Sequence, residues 1–129
     1  MLPWGFEKTK MKFILLLNAD ETRLRALPDG GAGSGPISPE FVAYTEAMKK
    51  AGVWLGGDRL KTTNHGARVR VRDGKSVVLD GPYADAKEQL AGYYLIEVPS
   101  IDEAIEWAVR CPAAQYATMD VRPLAEVPR

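Results

Sequence analysis

Disulfides, zinc clusters and membrane-spanning segments are all out of reach of this chain's composition. It has one cysteine, Cys111, and one histidine, His65, in 129 residues. A lone thiol cannot close an internal bridge, and its isolation fits a reducing compartment. One cysteine and one histidine do not supply the usual zinc ligand sets, so no metal or other cofactor is expected. The longest apolar run near the start, FILLL, is far too short to cross a bilayer or to form the apolar core of a secretory signal. Charge of one sign is missing too: Lys+Arg and Asp+Glu stand at 17 each. That balance removes the basic field through which nucleic acids and anionic membranes are captured. These absences predict a cytoplasmic protein with neither nucleic-acid nor membrane partners.

What remains is ordinary globular material of single-domain size, 46% apolar and 26% charged. Met11-Lys12-Phe13 begins a first strand, Lys12 to Asn18, which is apolar on both sides. Residues 1–10 read as a disordered extension, and residues 11–129 as one domain. Arg25 to Ser38 is rich in Gly, Pro and Ser, and reads as a flexible loop that could serve as a flap. Ser38-Pro39-Glu40 starts a helix: Ser at the N-cap, Pro at the first position, an acid at the positive end of the dipole. Phe41, Tyr44, Met48 and Ala51 share its inner face, and Gly52 ends it. Val53 to Leu60 is a short strand. ARVRVR and SVVLD flank Asp73-Gly74, the signature of a hairpin with a primed two-residue turn. Ala84 to Leu90 predicts one helical turn, and Gly92 to Val98 another strand apolar on both sides.

Ser100 and Glu103 form a capping box before a helix whose buried stripe is Ile101, Ala104, Ile105 and Ala108. Pro112 ends that helix. ATMDVRPL closes the chain as an alternating edge strand. This order of elements is that of an α+β ferredoxin-like plait, an antiparallel sheet with two helices on one face and a decorated hairpin. Two helices cover only one side of such a sheet. Phe13, Leu15 and Leu17 oppose Ile14 and Leu16, and Tyr94, Ile96 and Val98 oppose Tyr93 and Leu95. The second apolar side predicts a homodimer with sheets face to face and a cleft between or beside them.

The candidate chemistry gathers at Asp80-Gly81-Pro82-Tyr83. As a corner, Asp accepts bonds from backbone amides, Gly tolerates positive φ, and Pro fixes the exit direction. As a site, Asp80 and Tyr83 would face the cleft, with Asp80 as base or hydrogen-bond acceptor. Lys87 reads as a local tie back to Asp80, or as a charge presented to an anionic ligand. Any imidazole acid–base step must use His65. Arg68, Arg70 and Arg72 share one strand face, either as a solvated outer surface or as a stripe for a carboxylate or phosphate. The candidate ligand-binding set is therefore Asp80, Gly81, Pro82, Tyr83, Lys87, His65 and Arg68, and the catalytic candidates are Asp80 and His65. Trp54, Trp107, Tyr93 and Tyr94 read as core and interface, and Cys111 as a buried inert thiol.

LDGPYADAKEQLAGYYLIEVPSIDEAIEWAVRCP resembles the DGPF branch of the YCII-related family, most strongly from Arg68 to Pro112 and more loosely from Met11 to Leu124. Tyr83 stands where that branch usually has Phe, and Asp85-Ala86 where Glu-Thr is typical. The resemblance implies a dimeric ferredoxin-like protein of the α/β-barrel type, without fixing an activity. The His and Asp suspected as a dyad in the other branch have no counterparts: the first helix holds no His, and Cys111 precedes Pro112. It also implies an association with alternative sigma factors in transcription. Two functions follow as expectations. One is a small module binding a small molecule or a protein partner; the other is an enzyme using Asp80 and His65 on a small anionic or aromatic metabolite. A haem- or metal-dependent oxygenase is a third, by analogy of fold alone.

Overall fold

The computed structural model describes residues 10–83 and 87–126. Strand β1 (Met11–Asp20) leads through a five-residue helix α1 (Glu21–Arg25) and a long loop to helix α2 (Pro39–Lys50). Strand β2 (Trp54–Arg59), a 3-10 turn at Thr63–His65 and the hairpin β3 (Ala67–Arg72) and β4 (Lys75–Asp80) follow. Strand β5 (Glu88–Val98), helix α3 (Ile101–Arg110), a 3-10 turn at Pro112–Gln115 and strand β6 (Thr118–Pro123) complete the chain. The main sheet runs β2-β5-β1-β6 with every neighbour antiparallel, which is the α+β ferredoxin-like order. The hairpin forms a separate two-stranded sheet. No helix among the described residues is long and apolar enough to cross a membrane.

Register explains the core. Phe13 pairs with Ile96 and Leu15 with Tyr94, so the odd residues of β1 and the even residues of β5 share one face. That face meets Tyr44 and Met48 of α2 and Ala104 and Ala108 of α3, and Leu15, Met48 and Ile96 are 0% exposed. Tyr44 ties the two helices together. Its hydroxyl donates to the Trp107 carbonyl at 2.7 Å, and its ring stands edge-on to Tyr94 at 5.3 Å. Burial pushes the Tyr44 hydroxyl well above its usual range, so it remains a donor. The opposite face carries Ile14, Leu16, Tyr93 and Leu95, and among the described residues the helices pack on the other side. All four are half-buried.

Local signals account for most element ends. Ser100 accepts from the Glu103 amide at 3.3 Å, the N-terminal half of the capping box. Gly52 at φ 75° follows α2, and Asp73 and Gly74 both have positive φ in the hairpin turn, as a type I′ turn requires. Ser38 does sit at the N-cap of α2, yet its side chain makes no capping bond, which leaves Pro39 and Glu40 to favour the start.

Four expectations need correction. The chain has a third helix, α1, where Asp20 accepts from the Thr22 amide at 3.0 Å and an Arg25–Glu21 pair closes the turn. Ala51 caps α2 and is exposed rather than part of its inner face. Strand β5 begins at Glu88, so a helical turn reaching Leu90 does not form; Ala84–Ala86 lie outside the described residues. Ile101 and Ile105 are exposed, Ile105 by 44%. The small Ala104 and Ala108 let α3 settle closely on the sheet. Ile105 is thereby turned towards a groove of about 520 Å³ between α3 and β6. Residues 1–9 of the anticipated extension also fall outside the described residues.

Truncation at the core centre and at that groove should differ sharply. Leu15→Ala is expected to cost about 2–5 kcal/mol of unfolding free energy, and Ile105→Ala under about 1 kcal/mol, both read by urea denaturation.

Candidate functional site

The Asp80-Gly81-Pro82-Tyr83 corner is built against the backbone of the 3-10 turn. The Gly81 amide donates to the Gly66 carbonyl at 3.2 Å, and the Gly66 amide donates to the Thr63 carbonyl at 2.9 Å. A Cβ added at Gly81 would stand 1.7 Å from the Thr63 carbonyl oxygen, which leaves room for a hydrogen and nothing larger. Glycine is therefore demanded here by close approach, not by positive φ. The following Gly81–Pro82 peptide is cis. The Tyr83 carbonyl accepts from the Gln89 side chain at 3.2 Å, which ties the corner to β5.

The turn it leans on is itself anchored. Thr62 is buried; its amide donates to the Gly31 carbonyl at 3.0 Å, and its hydroxyl bonds Asn64 and the same carbonyl. Thr63 donates its hydroxyl to Glu21, a buried carboxylate also held by Arg25 at 2.7 Å. Burying a carboxylate is costly unless it is paired and hydrogen-bonded, and Glu21 has both partners. The Gly-rich loop is pinned as well. Asp29 accepts from the Gly31 amide at 3.0 Å and the Ser34 amide at 3.1 Å, bonds that hold its carboxyl below the usual range. Arg59 donates to the Gly33 carbonyl and, at 3.0 Å, to the Gly35 carbonyl. A loop tied at three places is a buttress for the site rather than a free flap.

Between the corner, the 3-10 turn and β5 lies a cavity of about 360 Å³. Its floor and walls include Thr62, Thr63, Gly66 and Ala67, with Leu60 and Leu90 as apolar sides. Lys61, His65 and Arg68 bring positive or proton-carrying groups to it, and the Arg68 guanidinium lies 4.0 Å from the centre of the Tyr83 ring. Such stacking orients a guanidinium fork, which suits bidentate recognition of a carboxylate or phosphate. No carboxylate lines the cavity among the described residues.

Of the residues singled out in the sequence, His65, Arg68 and Tyr83 line one cavity, and Gly81 and Pro82 set its corner. Asp80 does not join them. It is exposed, paired with Ala67 at the root of the hairpin and outside the cavity wall, so it has no contact with His65 through which to move a proton. Lys87 is exposed at the start of β5, and no ion pair links it to Asp80. Arg70 and Arg72 lie out along the hairpin, away from the cavity. Lys61, Gln89, Leu60 and Leu90 were not anticipated as lining residues. No local motif marks them, because only the antiparallel contact of β2 with β5 brings 60–61 beside 89–90. That contact continues past the strand end, where the Leu60 amide donates to the Ala91 carbonyl at 2.8 Å.

Against known proteins, the family model described as YCII-related domain matches residues 11–128 of this chain. The chain is also similar to an uncharacterized protein of Rhizobium meliloti (strain 1021), 43% identical over 84 residues. That match spans 64% of this chain and 64% of the relative's length.

The corner can be tested by stability alone. Gly81→Ala is expected to cost about 2 kcal/mol or more, since a backbone carbonyl must move, whereas Gly35→Ala, with nothing within 4 Å of the added carbon, should change little in the same thermal melt.

Proposed function

Because the chain belongs to the YCII-related domain family, we infer from its site that it is a small dimeric binding module for a small anionic molecule. The observation that carries this reading is the make-up of the 360 Å³ cavity. Lys61, His65 and Arg68 converge there, Tyr83 and two leucines supply apolar walls, and the described lining holds no acid. A cavity of that size takes a compact molecule, with an anionic group at the Arg68 end and an apolar body against Leu60 and Leu90. Proton transfer draws less support, since Asp80 stands outside the wall and His65 meets no carboxylate among the described lining residues.

The dimer rests on the open sheet face, where Ile14, Leu16, Tyr93 and Leu95 form an apolar centre of the kind that marks an association surface. The buried free Cys111 supports a cytoplasmic setting, where thiols stay reduced. Partners associated with sigma factors remain part of this reading only through the family resemblance.

A small aromatic carboxylate such as benzoate is the appropriate first probe, with toluene as its uncharged control. Titration calorimetry should show benzoate binding and Arg68→Ala weakening it by about tenfold, as expected for the loss of one charge-assisted hydrogen-bonding partner. Equal affinity of the variant and the unaltered chain, or binding of toluene as tight as of benzoate, would contradict the reading.

A further inference from the structure

The apolar groove between α3 and β6 plays no part in the proposed ligand site. Ile105 and Val109 of α3 face Met119 and Val121 of β6 across about 520 Å³. Ile101, Ile105 and Val109 recur every four residues, so they stack as one stripe along the helix. All three are exposed, Val109 by 71%. An amphipathic helix ordinarily turns such a stripe inward, but here Ala104 and Ala108 take the inner face. Three branched aliphatic side chains in a row, bordering an apolar groove, mark a docking surface rather than scattered surface residues.

The chain carries a segment suited to that surface. Residues 1–9 stand before the described part and include Leu2, Trp4 and Phe6. They lie outside the family match, which begins at residue 11, and so are an addition to the shared domain. Strand register sets their junction with β1 at one end of the groove. Met11 pairs with Val98, just before α3 begins at Ile101, and Leu124, just after β6, donates its amide to the Lys12 carbonyl at 2.9 Å. From that end Val109 lies eight residues down α3, about 12 Å from Ile101 at the helical rise. Phe6 and Trp4, four and six residues before Lys10, reach about 13 and 20 Å from it when extended. Charge agrees with length. Asp102 and Glu106 are exposed and flank the stripe, three residues from Ile105 and Val109 respectively. Arg110, the basic residue of α3, is stacked on Trp107 at 4.1 Å. The segment arrives with Lys8 and Lys10 against Glu7 alone.

We propose that the α3–β6 groove is the docking site for this chain's own residues 1–9, with Trp4 and Phe6 seated against Ile105 and Val109 and the lysines facing Asp102 and Glu106. The segment turns back at Lys10 and runs down the helix as a strap. Its two aromatic rings supply most of the contact, since such side chains bury the largest apolar area per residue ordered. The outward turn of the isoleucines in α3 then has a use: they are the seat of the strap. This docking is independent of both the cavity and the dimer. The groove lies on the helix side of the sheet, where Met119 and Val121 pack against the core, and the open face lies opposite.

Limited trypsin digestion of the full chain reads the docking, because cleavage after Lys8 follows the population in which the segment is lifted. W4A/F6A and I105D should each speed that cleavage by about tenfold, the fold by which the lifted population rises. V69D, on the distant hairpin, should leave the rate as it is. W4A/F6A alters none of the described residues, so it reads the docking even if I105D melts early. Cleavage of W4A/F6A at the rate of the unaltered chain, or equal acceleration by V69D, would overturn the proposal. Nuclear Overhauser contacts identify the occupant: ring protons of Trp4 and Phe6 should meet the methyls of Ile105 and Val109. In a mixture of labelled and unlabelled copies, filtering for contacts between copies should remove them. Contacts that survive the filter would give the groove to a second copy's segment, and no contacts at all would leave it to another partner; either result refutes the strap.

Discussion

The register of β1 on β5 is the constraint from which the rest of the molecule follows. Setting Phe13 opposite Ile96 and Leu15 opposite Tyr94 gathers the largest apolar side chains on one side, where α2 and α3 bury them. A slip by one residue would send that set to the other face and leave the helices against Ile14, Leu16 and Lys12. The pairing also fixes where the site can be. Continuing past the end of β2, it brings Leu60 and Lys61 beside β5 and so raises one wall of the cavity. On the far side of the sheet it displays Ile14, Leu16, Tyr93 and Leu95, away from the described helices.

The cavity and the corner answer two demands with one arrangement. Gly81 is pressed onto the Thr63 carbonyl for steric reasons, and that contact holds Tyr83 where Arg68 can stack on it. The 3-10 turn withstands the contact because Thr62 and Thr63 are fastened to Gly31 and to Glu21. A structural corner and the proposed ligand site are therefore compatible here: the rigidity of the first gives the cavity its shape.

The elements most readable from sequence were those whose signals are local. Alternation marked β3, β4 and β6, paired positive-φ positions marked the Asp73-Gly74 turn, and Ser100 marked the start of α3. The ferredoxin-like order followed from the succession of these elements. What escaped was settled by contacts distant in sequence. The inward face of α3 depends on how closely Ala104 and Ala108 approach the sheet, so a count of apolar residues wrongly put Ile101 and Ile105 inside. Helix α1 had a legible start in Asp20, followed by Glu21 and Arg25 at helical spacing, but its five residues were overshadowed by the Gly-rich loop. At the site, Gly81, Tyr83, His65 and Arg68 drew notice through residue type or motif. Lys61 and Gln89 have neither, and only the folded sheet brings them near.

Among the described residues the layer of strands has two greasy sides and helices against one of them, and the proposal that a second copy covers the other is the core of this account. Light scattering on the unaltered chain across a dilution series addresses it most directly. The account predicts a particle of twice the 14.2 kDa chain mass that persists well into dilution. A particle of one chain mass at every concentration would contradict it.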